Sequence, residues 1–400
     1  MEEISGKVGS AISFAKKIDD NAREQIQRMC DYEFTRGSKI RIMPDVHAGK
    51  GCTIGTTMTI TDKVVPNIVG VDIGCGMFTV KLETDSIDFE KFDEAAHFIP
   101  SGRNVWEDRQ VKFNLQELFC GRDLKDTHRI EKSIGTLGSG NHFIEIDKSK
   151  DGKFFLVIHT GSRNLGKQVA EFYQDLAIDL NIGKTAYKNQ VENLIREYKE
   201  SGRQKEIQAA LKNLSENRCQ TSIPAGLCFV YGEYLENYLH DMKICQEFAK
   251  INRETIAKIL LERVGISEGE SFHTTHNYID IEEKIIRKGA ISAQKGEKIL
   301  IPINMRDGSV LAVGKGNPDW NFSAPHGAGR IMSRTVAKNS LSMADYKNAM
   351  DGIYTTSINE ETLDEAPQAY KSLDDIIDVI GDTAEILDVM KPIYNFKATE

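Results

Sequence analysis

The chain has 400 residues, with 51 Lys and Arg against 60 Asp and Glu and a formal net charge of -9. With 40% hydrophobic and 28% charged residues it has the composition of an ordinary globular protein, which excludes disorder and collagen-like repeats. The acidic balance argues against a generic polyanion binder, which needs surplus Lys and Arg somewhere on its surface. The start, MEEISGKVGS, is acidic and precedes no apolar core of signal-peptide length. No run approaches the roughly 20 apolar residues of a membrane span, so a cytoplasmic location is expected. Seven scattered cysteines with no C-x-x-C pair argue against a disulfide framework and fit a reducing compartment.

Along the chain, residues 40–82 alternate short apolar or β-branched runs with glycines (KIRIMPDVHAGKG, TIGTTMTIT, VVPNIVGVDIGCGMFTVKL), which predicts buried strands joined by tight turns. HFIEI and KFFLVIHT predict a second group of strands. Residues 166–217 are polar and helix-forming. Tyr231, Tyr234, Leu235, Tyr238, Leu239, Met242, Cys245, Phe248 and Ala249 recur at three-and-four spacing, which predicts one long helix running to about Val264. That stripe reads as core rather than as a base-stacking surface. KILIPINM and VLAVGKG supply a third strand group. There is no internal repeat and no linker, so the architecture expected is one α+β domain with a helical insertion at 166–264.

Charge is unevenly spread. Between Lys284 and Lys338 lie ten Lys or Arg against three acidic residues, while beyond residue 340 there are thirteen acidic residues against four Lys. The first block predicts a basic groove containing Arg287 and Lys288. The second predicts a solvated helical surface.

The stretch from Gly161 to Lys167 imitates strand, G-x-x-x-x-G-K, helix, but Gln168 stands where a Walker loop needs Ser or Thr to hold magnesium. Its glycine turn and Arg163 can still serve a phosphate. Of nine histidines, His142, His159, His276 and His326 lie in glycine-rich or strand-end contexts, and Asp72 and Cys75 share GVDIGCG. A lone histidine is usually structural; four of them beside Asp and Cys point to a transition-metal site in which a thiolate can bridge two ions. Thiolate and imidazole suit zinc, whereas the carboxylate admits manganese. Asp45, His47 and Lys50 form another polar cluster, open to a supporting, an RNA-contacting or a structural role.

PDVHAGKG, GVDIGCGM, LGSGNHFIE, HTGSRNLG, HN in HTTHNY, RKGA, HGAGRIMSR and a lysine near the C-terminus occur in this order over nearly the whole chain. Together they resemble the RtcB family, GTP-dependent RNA ligases that join 3′-phosphate or 2′,3′-cyclic phosphate ends to 5′-hydroxyl ends. The resemblance implies a single RtcB-like domain over 1–400 and two Mn2+ ions, one held by Asp72, Cys75 and His142, the other by Cys75, His159 and His276. It makes His326 the residue that takes GMP from GTP. It places Asn141, Glu145, Ser309 and Lys397 around the nucleotide, and Arg163, Arg287 and Lys288 at phosphates; beside the His326 loop, Arg330 adds a fixed charge for a phosphate. Where many relatives read Gly-Ser-Met-Gly, this chain reads Ile303-Asn304-Met305-Arg306, so Asn304 stands at a nucleotide-contacting serine. RNA is the implied partner, joined in some relatives by an archease-like activator.

Histidine is a competent nucleophile when one ring nitrogen is held and the other free. Gly327, Gly329 and the helix-like RIMSRTVAK are expected to bring backbone N–H groups and a helix N-terminus to the phosphate. Two other classes stay in view. A metal-dependent RNA phosphodiesterase or phosphatase would use the same ligands without a nucleotide. A silent RNA-binding protein would have no physical need of the full ligand and nucleophile set.

Overall fold

The structure is a computed structural model that describes residues 1–49, 51–216 and 223–397; Lys50 and Cys219 fall outside the described residues. Two antiparallel-rich sheets carry the fold. The larger runs in the order Ser267–Thr275, Gly76–Glu83, Phe154–Thr160, Phe143–Lys148, Ala384–Lys397, Gly308–Gly314, Lys298–Asn304, with every neighbour antiparallel. The smaller runs Glu2–Ser5, Ser10–Ser13, Ile40–His47, Ile54–Thr59, Ile285–Lys288, Asn277–Asp280, with one parallel pair between Ser10–Ser13 and Ile40–His47. The three strand groups expected from the sequence are therefore interleaved, and the architecture is a single α+β domain.

The span 166–264 holds the helices Arg163–Ile182, Lys184–Glu200, Ile207–Glu216 and Glu233–Val264. The last has 32 residues, opens with Glu233 and Glu236 where the helix dipole favours acids, and ends at Gly265, whose φ of 75° lets its N–H close onto the Leu261 carbonyl. Its Leu235, Tyr238, Met242, Cys245 and Phe248 join the core beneath the smaller sheet, while Ile256, Ala257, Leu260 and Leu261 join the core beneath the larger. One helix thus ties the two sheets together, and the tyrosine and methionine stripe is core. Among the described residues no helix is long and apolar enough to cross a membrane. The six described cysteines are all free and buried.

Three expectations are corrected. The acidic C-terminal region is not a solvated helical surface: it ends in the strand Ala384–Lys397 in the middle of the larger sheet, and Asp364 and Glu365 are buried. Net charge over a region averages away the apolar Tyr394 and Phe396 that make it a core strand. Arg287 and Lys288 do not form an exposed basic groove. Arg287 is 0% exposed and bonded to Ser323, Tyr278, Asp280 and the Phe322 carbonyl; Lys288 is 6% exposed with its Nζ 2.9 Å from the Asn67 carbonyl. Both lie on a strand covered on its two faces. Finally, no helix follows His326 directly. Ser333 caps a helix over Arg334–Ser340, because Arg330 is held extended by a bridge to Tyr370.

Candidate active site

The metal-type residues converge because they sit at one end of adjacent strands in the larger sheet. Cys75 immediately precedes Gly76–Glu83, His142 precedes Phe143–Lys148, His159 is the penultimate residue of Phe154–Thr160, and His276 follows Ser267–Thr275. The register sets His159 opposite both Met77 and Phe143, so residues far apart in sequence meet. Gly161 allows the approach: a Cβ there would lie 2.1 Å from an Asp72 carboxylate oxygen.

Two groups form, Asp72–Cys75–His142 and Cys75–His159–His276, each with ligand atoms within 4.8 Å of one another and Cys75 common to both. Cys75 Sγ is 3.7 Å from His142 Nε2 and 3.3 Å from His159 Nε2; His142 Nε2 is 3.1 Å from Asp72, and His159 Nε2 is 3.0 Å from His276 Nε2. Backbone carbonyls fix the tautomers. His142 Nδ1 donates to Leu137 and His159 Nδ1 to Asn141, at 2.8 and 3.1 Å, so both Nε2 lone pairs face the shared sulfur. Burial holds His159 and His276 well below the ordinary histidine range, as neutral imidazoles. Burial and then Asp72 push the Cys75 thiol well above its ordinary range. Lone pairs aimed at one another around a buried thiol are repulsive in isolation and attractive around divalent cations, so the residues present fit two ions sharing a thiolate.

A cavity of about 270 Å³ opens beside this cluster. On its wall stands His326, with its ring centroid 4.8 Å from that of His276. His326 Nδ1 donates to Asp45 at 2.5 Å, and the His326 backbone N–H reaches the same oxygen at 3.2 Å. Asp45 is fully buried, so the ring is held by a fixed carboxylate.

Asn141, Glu145, Asn304, Lys397 and Arg330 also line the cavity. Lys397 Nζ lies 2.9 Å from Glu365, which also receives Arg330 at 3.1 Å and Arg334 at 2.9 Å. Asn304 is turned toward its own hairpin, accepting from the Arg306 and Asp307 amides and donating to Asp307. Ser309, Arg163, Arg287 and Lys288 are not on the cavity wall. Ser309 is fully buried, and Arg163 spends its guanidinium on Thr136 and the Gly102 carbonyl. The Gly161–Lys167 segment is not built as a Walker loop, because Arg163 to Lys167 already lie in the helix.

Sequence reasoning overlooked two residues, Asn252 and Arg253, on the long helix between its two core-facing halves. Asn252 accepts from the Gly135 and Thr136 amides and donates to the Gly161 carbonyl. Arg253, 1% exposed, donates to the Gly74 and Thr160 carbonyls at 2.8 Å each. They pin the turns that carry Cys75, His142 and His159. The available signal was a polar pair interrupting an otherwise apolar helix face.

The model of the family described as "tRNA-splicing ligase RtcB" matches residues 25–118 and 120–398. The chain is 29% identical to RNA-splicing ligase RtcB of Escherichia coli K12, over 95% of both chains. It is 25% identical to RNA-splicing ligase RtcB2 of another Escherichia coli strain, over 89% of this chain and 86% of the relative. With tRNA-splicing ligase RtcB of Aeropyrum pernix it shares 27% identity over 84% of this chain and 83% of the relative. A match spanning nearly the whole length, together with a ligand cluster built at the strand ends, means that the chain belongs to the RtcB family.

Proposed function

We propose that the protein is an RNA ligase that uses GTP and manganese to join RNA 3′-phosphate or 2′,3′-cyclic phosphate ends to 5′-hydroxyl ends through a guanylylated His326. The observation that carries this is the pairing of His326 Nδ1 with buried Asp45 at 2.5 Å, which leaves Nε2 facing a cavity that adjoins the Cys75 cluster. A nucleophile with one nitrogen held and one free is what covalent nucleotide transfer needs.

His326 Nε2 attacks the α-phosphorus of GTP; a P–N bond forms and pyrophosphate leaves. The Nδ1 proton stays on the Asp45 side, where the carboxylate balances the positive ring. A 2′,3′-cyclic end first adds water, which breaks the P–O2′ bond and leaves a 2′-hydroxyl and a 3′-phosphate; an oxygen of the RNA 3′-phosphate then displaces His326 and takes GMP. The RNA 5′-hydroxyl attacks that phosphate, loses its proton and expels GMP. Asp72, Cys75, His142, His159 and His276 would hold the metal ions, whose chemistry is neutralising phosphate charge and polarising phosphorus. Arg334, half exposed on the same cavity wall, has a guanidinium that suits phosphate oxygens, while Arg330 is bonded to Met332, Asp364, Glu365 and Tyr370 and would hold that wall in place.

The reading is tested by incubating the manganese-loaded protein with a 2′,3′-cyclic-phosphate RNA and a 5′-hydroxyl RNA, with and without GTP. A joined product that requires GTP is expected. Release of a 3′-phosphate end or free phosphate without GTP consumption would make the protein a hydrolase instead.

A further inference from the structure

His47 shares a strand end with Asp45, yet the proposed chemistry gives it no part. The strand Ile40–His47 is irregular there: between the pairs Ile42–Thr56 and His47–Ile54, five steps along one strand face two along the other. A bulge of this kind breaks the alternation of side chains and re-aims them. Asp45 turns to His326, and His47 reaches the wall of the cavity. Two ties fix the segment. Lys371 Nζ donates to the Pro44 and Val46 carbonyls at 3.0 and 3.2 Å, and His47 Nδ1 lies 2.9 Å from the Asp45 carbonyl.

A carbonyl can only accept, so His47 Nδ1 is the donor and Nε2 of the neutral ring carries the lone pair. Among the described residues, Nε2 makes no hydrogen bond. Burial lowers His47 below the ordinary 6.5; the charged and titratable groups that act on its ring are Asp45 on its own strand, His326 and Lys371. A neutral imidazole with one nitrogen held and the other open to a cavity can take a proton.

The two sheets share the wall unequally. His47 and Ile54 are the smaller sheet's contribution, whereas Glu145, Asn395 and Lys397 belong to the larger. An in-line displacement puts the attacking and leaving oxygens on opposite sides of phosphorus. With GMP on the RNA end and lying against the larger sheet, the 5′-hydroxyl approaches from the smaller, and His47 is the titratable side chain which that sheet puts on the wall.

We propose that His47 is the general base of the sealing step. The O5′–P bond forms, the P–O bond to GMP breaks, and the 5′-hydroxyl proton passes to His47 Nε2, from which solvent removes it. The inference rests on the nucleotide-transfer reading and adds to it the residue that activates the RNA nucleophile.

The test uses the manganese-loaded full chain with labelled GTP, a 3′-phosphate RNA and a 5′-hydroxyl RNA, and follows the labelled chain, the GMP-capped RNA end and the joined product separately. His47→Asn and His47→Gln both retain an amide donor for the Asp45 carbonyl and neither offers a base, so one folded variant of the two suffices. That variant should take up label and cap the RNA at the wild-type rate, while capped RNA accumulates and sealing slows by about 10²–10³-fold. From about pH 7 to 9 wild-type sealing should stay level, because its base is already unprotonated, whereas the variant's should rise about tenfold per unit as hydroxide replaces the base. Sealing at the wild-type rate, an equal loss in labelling and sealing, or a level profile merely displaced downward would each overturn the proposal. If the wild-type chain takes up no label, the nucleotide-transfer reading itself fails; if it is labelled and the variant seals normally, the base assignment alone fails.

Discussion

Asp45 accepts from both the ring Nδ1 and the backbone N–H of His326. In Asp45→Asn the ring loses its charged partner, so guanylylation should slow by about 10²–10⁴-fold while the Kd for GTP changes little; rapid-quench kinetics beside equilibrium binding would separate the two. Cys75→Ala should lose both metal ions at once, because its sulfur belongs to both ligand groups; metal analysis of the purified variant that found one ion retained would contradict the shared-thiolate geometry. That these residues cluster was legible in the sequence because Asp72, Cys75, His142 and His159 lie beside glycines and His276 lies at a strand end. The burial of Arg287 and Lys288 was not, because a basic dipeptide in a strand states residue type and leaves open whether its strand is covered. Asp45 was visible as part of a polar cluster, but its partner His326 lies 281 positions away.

At the scale of elements, the long helix Glu233–Val264 is both core and scaffold. Its apolar spacing announced the element and its extent. Its second task was hidden, since Asn252 and Arg253 look like ordinary polar interruptions until the turns they hold are seen. Asn252→Ala orphans the buried Gly135 and Thr136 amides, and each unsatisfied donor costs about 1–3 kcal/mol. Because the same turns carry metal ligands, Asn252→Ala should also weaken manganese binding by about 10–100-fold. Leu260→Ala, on the same helix but in the core of the larger sheet, should cost about 2–5 kcal/mol by leaving a cavity. Its folded fraction should bind manganese normally, and titration of metal into both variants distinguishes scaffold from bulk stability. The strands themselves were legible. Their interleaving was not, since antiparallel pairing between the chain's start, middle and end leaves no local signal.

Across the whole molecule, the basic block and the acidic region turn out to neutralise each other. Arg330 meets Glu365, Arg334 meets Asp364 and Glu365, and Lys338 meets Asp364. Net charge per region led to the expectation of a solvated tail, whereas these acidic residues form an internal ion-pair network. Burial works against the Glu365 charge, but Lys397, Arg334 and Arg330 outweigh it and lower its carboxyl to about 2 from 4.5. A depressed carboxylate stabilises the fold above its unfolded value, so this contribution, on the order of 3 kcal/mol, should be lost as pH falls from 4.5 through about 2. Glu365→Gln should flatten that part of a pH–denaturation series. Salt-dependent RNA binding must then come from exposed cations, and Arg287→Met should leave its salt slope unchanged while breaking a buried pair with Asp280. All of this supports one claim, that His326 carries the nucleotide. Labelled GTP and manganese should leave an acid-labile, alkali-stable label on the wild-type chain and none on His326→Ala; a label of the same stability persisting on His326→Ala would contradict it.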